Sequence, residues 1–449
     1  MRLVEGFSSI YTRLSKPLFE NSPVRGPLLA SMIAITASFF LVGGFHWLIG
    51  YPSHFSILKG CVMGIGDDSW GPMKHAYAHF LSHPNTDIYK TVFFANNVKF
   101  QYPPSSLLPQ AAASLLRIDI TPTTLGVIER IAVLVEAGAV AWLFVLLALK
   151  KGWAAYGQPR ILLGASLAVA LTLTFYPVLK SCALGQMQTF LNTLFAIGCV
   201  FALSNRPAAA GAVIGTMCLL KPQFGLFALW AILRRDWNFL IGWAAIAITG
   251  TLIAVLVFGI SSHFGYLSIL SFLSNHGEGF YANQSLNGLL NRLAGNGNNL
   301  VWDGASFPER VPWIYLATTL NAIAMSAVGL LAGKKMPYIV DFIIAALAFT
   351  LASPIAWEHH YGIMPAAFVV AALYAIDSSR RSAKPRDGKW LLLAYILSAS
   401  LFSITFMLAH SWANFLQSYL LIGALLLLWQ LYVLGREAEP GTNDNLRAT

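Results

Sequence analysis

Apolar residues run almost unbroken through nine stretches of this chain, 27–50, 124–150, 158–178, 185–203, 239–260, 313–333, 338–357, 390–409 and 415–435. A bilayer core of about 30 Å asks a helix for about 20 apolar residues, and these runs approach or meet that length. Three shorter runs, 207–219, 222–233 and 360–376, also read as helices. Short or broken helices at membrane depth are tolerated where they line a cavity. The pattern predicts an all-α polytopic membrane protein of about 12 transmembrane helices, one membrane domain over 1–435, and a disordered cytoplasmic tail over 436–449.

Two segments between the runs, about 51–122 and about 261–312, are long enough to fold as more than turns. In the first, Pro72 to Leu81 is amphipathic and predicts a short helix lying at the membrane interface. Threading the runs in order brings six polar patches to one side: Gly66 to Trp70, Phe100 to Pro104, Gly185 to Gln188, Lys221 to Gln223, Asn283 to Asn287 and Trp357 to Tyr361. A chain that only anchors or spans has no reason to gather acids, amides, a lysine and a histidine pair on one face.

Composition removes the soluble classes: 57% of residues are hydrophobic, 11% are charged and the mean hydropathy is +0.63. The formal charge of +10 needs no nucleic-acid partner, because 19 of the 29 Lys and Arg fall in segments on the side opposite the polar patches. Among them are Lys150, Lys151, Arg234, Arg235, Lys334, Lys335 and the cluster from Arg380 to Lys389. Basic loops stay in the cytoplasm beside anionic lipid headgroups. Both termini are therefore expected inside the cytoplasmic membrane, with the polar face toward the periplasm or outside. The first apolar run is too long for a signal-peptide core and lacks a small-residue cleavage site, so it is expected to be retained. Cys61, Cys182, Cys199 and Cys218 show no paired or metal-ligating spacing, which predicts neither a disulfide nor zinc.

An acid after the first run, the segment ending Asp87-Ile88-Tyr89, the run Lys99-Phe100-Gln101-Tyr102-Pro103-Pro104, Leu220-Lys221-Pro222-Gln223 and Ser353-Pro354-Ile355-Ala356-Trp357-Glu358-His359-His360-Tyr361 occur in that order. Together they resemble glycosyltransferase family 87, whose members include polyprenyl-phosphate-mannose-dependent mannosyltransferases. The resemblance covers roughly Leu28 to Ile376 and implies a GT-C architecture. It also implies transfer of a hexose, with mannose as precedent, from a polyprenyl-phosphate donor to a glycolipid or glycan acceptor on the outer face of the membrane.

Such a transfer needs a carboxylate to take the acceptor's proton and hydrogen-bond donors or cations for the departing phosphate. Asp67 and Asp68 are the candidate bases. Successive side chains of an extended backbone face opposite ways, so Asp68 is favoured and Asp67 stays open; both also suit caps of the next helix. The resemblance implies that a histidine of the pair His359 and His360 contacts the donor phosphate. Packing beside Trp357 and Tyr361 is the structural alternative, and Glu358 is placed to orient a histidine or serve as a second acid. Lys221 either snorkels to water or holds the phosphate together with a helix begun by Pro222.

Tyr102 and Gln101 are candidate substrate contacts. Asn283, Gln284, Ser285 and Asn287 carry the donors and acceptors that sugar hydroxyls need, and equally suit a polar turn or cap. Gln186 and Gln188 are read the same way with less support, and Arg292 is a further cation in the second outer segment. His75, His79 and His83 would share one helix face, but Lys74 and Pro84 beside them fit solvated interface histidines. No metal or other cofactor is expected. A lipid-linked sugar flippase or transporter, or a non-catalytic envelope-assembly protein, would also span the membrane many times. A transporter should carry ionisable groups near the midplane and show related halves. Here Glu129, Arg130, Glu136 and Asp341 are the main charged residues inside the runs, and no internal symmetry is visible.

Overall fold

The computed structural model describes residues 25–84, 86–303, 307–381 and 388–438. Among the described residues every regular element is helical, and the one extended pairing is an isolated antiparallel bridge between Asn283 and Trp357. Six helices are long and apolar enough to cross a membrane: Gly26–Leu48, Pro122–Lys150, Trp237–His276, Pro312–Ala332, Glu358–Ser378 and Trp412–Glu437. A seventh span is available if Gln158–Leu173 and Tyr176–Leu184, bent by 48°, are taken together. Pro177 sits in the first turn of the second piece, where it offers no N–H to the preceding turn. Leu, Ile and Phe side chains such as Leu41, Leu256, Phe264 and Ile323 stand exposed on these helices. A water-facing surface would not carry so many; this is a multi-pass membrane protein.

Several apolar runs form helices shorter than the sequence predicts. Tyr338–Leu351 stops short of 357 because Ser353-Pro354 intervenes, and the residue before a proline is pushed out of the helical region. Lys389–Ala399 ends where the ring of His54 donates from Nε2 to the Ala399 carbonyl at 2.7 Å. The predicted outer segment 261–312 begins instead as helix, since Trp237–His276 continues past a break at Gly259, where φ is 78°. At the other end, helix runs through Glu437, and the predicted tail from residue 439 onward lies outside the described residues.

Tyr338–Leu351 forms the centre of the bundle: every residue from Ile339 to Leu351 is buried, as expected of a helix apolar on all sides. Three of the charges inside the apolar runs, Glu129, Arg130 and Asp341, are bonded within the structure. Arg234 grips Asp341 with Nε and Nη2, the latter at 2.6 Å, and donates from Nη1 to the Leu330 carbonyl at 2.9 Å. Glu129 accepts the indole N–H of Trp70 at 3.0 Å. Arg130 donates to the carbonyls of Cys61 and Gly64 at 3.3 and 3.1 Å, which closes the exposed end of helix His54–Met63 just before the acidic loop.

Candidate active site

The polar face encloses a cavity of about 850 Å³ whose upper wall is polar and whose deeper wall, at Leu226, Phe349 and Ala352, is apolar. Its first side is built by two chain segments that pair backbone to backbone: Asp68 N–H donates to Leu184 O at 3.0 Å and Ser69 N–H to Gly185 O at 3.1 Å. The approach requires glycine on both strands of the contact. A Cβ on Gly185, where φ is 68°, would lie 2.1 Å from the Gly66 carbonyl oxygen, and one on Gly66 would lie 2.2 Å from the Leu184 carbonyl carbon.

Just beneath this contact Cys61 and Cys182 form a disulfide, with Cα atoms 5.1 Å apart. That corrects the expectation of no disulfide. The two cysteines are 121 residues apart in sequence, and they meet only because helices His54–Met63 and Tyr176–Leu184 pack together. Cys61→Ser is expected to destabilise the fold by about 2–4 kcal/mol, read as a lowered unfolding temperature of the detergent-solubilised protein. A disulfide-linked peptide pair in non-reducing mass spectra checks the bond itself.

The structure separates the two candidate bases: Asp68 lines the cavity and Asp67 does not. Gln186 donates from Nε2 to Asp68 Oδ2. The amide oxygen of Gln186 in turn accepts the hydroxyls of Ser69 at 2.8 Å and Tyr102 at 3.0 Å. Two hydroxyl donors fix which end of the amide faces the carboxylate. The Asp68 carboxyl stays open to the cavity, yet protein crowds around it. Loss of water holds it above the usual carboxylate range, while the Gln186 hydrogen bond and the charge of Lys180 pull it back.

The opposite side is the turn Glu358–Ile363, and Glu358, His359 and His360 all border the cavity. This turn is knitted to the segment around Asn283. Glu358 N–H donates to Ala282 O at 2.9 Å, Gln284 N–H to Ala356 O at 2.8 Å, and Ala356 N–H to Asn283 Oδ1 at 3.0 Å. Glu358 accepts the hydroxyls of Tyr176 at 2.7 Å and Tyr419 at 3.3 Å, so its carboxylate is engaged by the protein. His360 is different: its Nδ1 is buried with no hydrogen-bond partner among the described residues.

The predicted polar residues divide accordingly. Gln101, Tyr102, Gln186, Lys221, Glu358, His359 and His360 reach the cavity with Asp68. Asn283 and Gln284 do not: both are fully buried and donate to the carbonyls of Glu278 at 2.9 Å and Gln417 at 2.7 Å. Ser285 caps helix Leu286–Leu293, and Arg292 donates to Phe280 O, Asn283 O and Ser418 Oγ. These residues frame the wall. Lys221 donates to Gln188 Oε1 at 2.7 Å. Pro222 then opens a 3-10 turn, Pro222–Gly225, that runs directly into helix Leu226–Arg234, so the helical segment starts at Pro222 as expected but with a 3-10 first turn. His75 and His83 are exposed, His79 stacks on His83 at 4.8 Å, and none of the three reaches the cavity.

Two cavity lysines hold places that the sequence does not assign to them. Lys99 at the mouth lies over the rings of Trp302 and Phe307, 4.5 and 4.1 Å from their centroids, and donates to Asp303 O at 2.9 Å. It ties the two outer segments together. Lys180 lies on the wall between Asp68 and Glu358, within electrostatic reach of both. Its signal is present in the sequence: a lone lysine in an otherwise apolar stretch is a functional suspect. It is masked because the apolar run ends at 178, which makes Lys180 look like a loop charge.

A polyprenol-phosphate-mannose-dependent alpha-(1-2)-phosphatidylinositol mannoside mannosyltransferase of Mycolicibacterium smegmatis is 25% identical over 289 residues, a match covering 62% of this chain and 63% of that relative. The model of glycosyltransferase family 87 matches residues 100–354. That stretch holds Tyr102, Gln186 and Lys221 and stops just before Glu358. With more than half of its residues matched, this chain belongs to glycosyltransferase family 87.

Proposed function

We propose that this protein is a membrane glycosyltransferase that moves a hexose, mannose first among them, from a polyprenyl-phosphate donor to a glycolipid or glycan acceptor. The observation that carries this reading is one cavity that joins an open, Gln186-oriented Asp68 to Lys221, His359 and His360. The acceptor hydroxyl oxygen attacks the anomeric carbon and the bond from that carbon to the phosphate oxygen breaks. Asp68 takes the hydroxyl proton, and polyprenyl phosphate leaves with the bonding electrons. His359, His360 and Lys221 face the departing phosphate, and Tyr102 and Gln101 border the sugar. A phosphate leaving group needs no general acid, so one carboxylate suffices.

In this reading the chain has the GT-C architecture and the cavity opens on the outer side of the cytoplasmic membrane, with both termini inside. The Cys61–Cys182 disulfide beside the acidic loop supports that sidedness, since disulfides persist in oxidising compartments. The concentration of Lys and Arg in the opposite loops supports it too. The reading calls on no metal. The test is transfer of labelled mannose from polyprenyl-phosphate mannose to a membrane lipid and glycan extract by the purified protein. Label is expected to move, at a rate unchanged by a chelator. If the folded protein binds polyprenyl-phosphate sugars but moves none of them, the flippase reading replaces this one.

A further inference from the structure

Lys180 sits on helix Tyr176–Leu184, one turn beyond Tyr176. Residues four apart share a helix face, so Lys180 looks toward the side where Tyr176 meets Glu358 at 2.7 Å. From there it acts electrostatically on Asp68, Glu358 and His359. Yet among the described residues it closes no ion pair; the three that form are Lys99 with Glu278, Lys151 with Asp377 and Arg234 with Asp341. Lys180 shares the cavity wall with Asp68 and Glu358 and pairs with neither among the described residues, so an anion entering the cavity can complete its charge.

We propose that Lys180 is a second cation, beside Lys221, that takes the phosphate of the lipid-linked donor, standing between that phosphate and the base Asp68. This rests on the reading of the site as a polyprenyl-phosphate-dependent transferase and adds to it a residue with two jobs. Lys221 keeps one of its three donors on Gln188 and shares the phosphate with Lys180, and both lysines act electrostatically on the His359 ring. The apolar deeper wall at Leu226, Phe349 and Ala352 favours a phosphate carried on a lipid over a free one.

The second job comes from position. Lys180 favours the ionised form of Asp68; a bound phosphate occupies the lysine's charge and leaves Asp68 a stronger base. Donor binding thereby arms the base, and by reciprocity the protonation state of Asp68 bears on donor affinity. The other groups acting on Asp68 are Asp67, which opposes its ionisation, and Lys99 and Gln186, which favour it. Those three remain when Lys180 is replaced.

The experiment compares wild type, Lys180→Gln and Lys180→Arg in two assays. In the first, polyprenyl phosphate without sugar is added and the unfolding temperature followed, with inorganic phosphate as a second arm. Wild type is expected to be stabilised by polyprenyl phosphate alone, with the midpoint concentration raised roughly 10- to 100-fold in Lys180→Gln and largely recovered in Lys180→Arg. In the second, the acid limb of kcat/KM for transfer is expected to move to higher pH in Lys180→Gln and back in Lys180→Arg. An unchanged midpoint in folded Lys180→Gln overturns the proposal, as does an unmoved acid limb. Equal stabilisation by inorganic phosphate overturns the lipid-linked assignment. Failure of the wild type to transfer sugar, with its lysine-dependent binding of polyprenyl phosphate intact, sinks the transferase reading and leaves the phosphate site standing.

Discussion

Asp68→Asn is expected to lower the transfer rate by roughly 10²- to 10⁴-fold, the usual worth of a general base, while Asp67→Asn keeps most of it. The amide preserves the size of the side chain and can still accept from Gln186, so the fold and the bound substrates stay in place and only proton removal is lost. Asp67, outside the cavity lining, has no access to the acceptor hydroxyl. The pH profile carries the same information. A base works ionised, so activity falls as pH drops through the Asp68 pKa. Because burial raises that pKa, the fall begins at a higher pH than for an ordinary carboxylate near 4. Purified variants assayed with polyprenyl-phosphate mannose decide the point: equal losses in Asp67→Asn and Asp68→Asn, or none in either, would remove Asp68 from the role of base.

His360→Ala is expected to cost on the order of 10²-fold in kcat, the loss seen when one donor to a developing oxyanion is deleted. Its ring is one of the two imidazoles that line the cavity, and the substitution removes it. Glu358 next door has its oxygens occupied by Tyr176 and Tyr419, so Glu358→Gln should act through disturbed packing and lower the unfolding temperature. His360→Ala should not lower it. Single-turnover transfer alongside thermal unfolding separates the two; full activity in His360→Ala would discard the phosphate contact.

The reach of the sequence differs between the two carboxylates of Asp67-Asp68. That one of them belongs to a site was legible, because the pair stands in a polar patch beside apolar runs. Which one was less so: opposite orientation follows from extended backbone, but the side that faces the cavity depends on how 68–69 pair with 184–185. Asn283 and Gln284 show the same limit from the other direction. Their residue types suit sugar hydroxyls and suit a buried frame equally, and only their neighbours at Glu278, Pro354 and Gln417 assign them to the frame. Helix lengths failed where a local break intervened, as at Pro354 and at the His54 contact with Ala399.

Composition and apolar period determined by themselves that this chain lives in a membrane and is helical, because hydropathy and backbone hydrogen bonding are properties of short stretches. The ordered motifs likewise carried the family, since they are strings of neighbouring residues. The tertiary structure alone decided the Cys61–Cys182 bond, the Gln186 grip on Asp68 and the station of Lys180 between Asp68 and Glu358. Each joins residues that are more than a hundred positions apart in sequence, and such contacts arise from the packing of one helix against another, which no local pattern encodes.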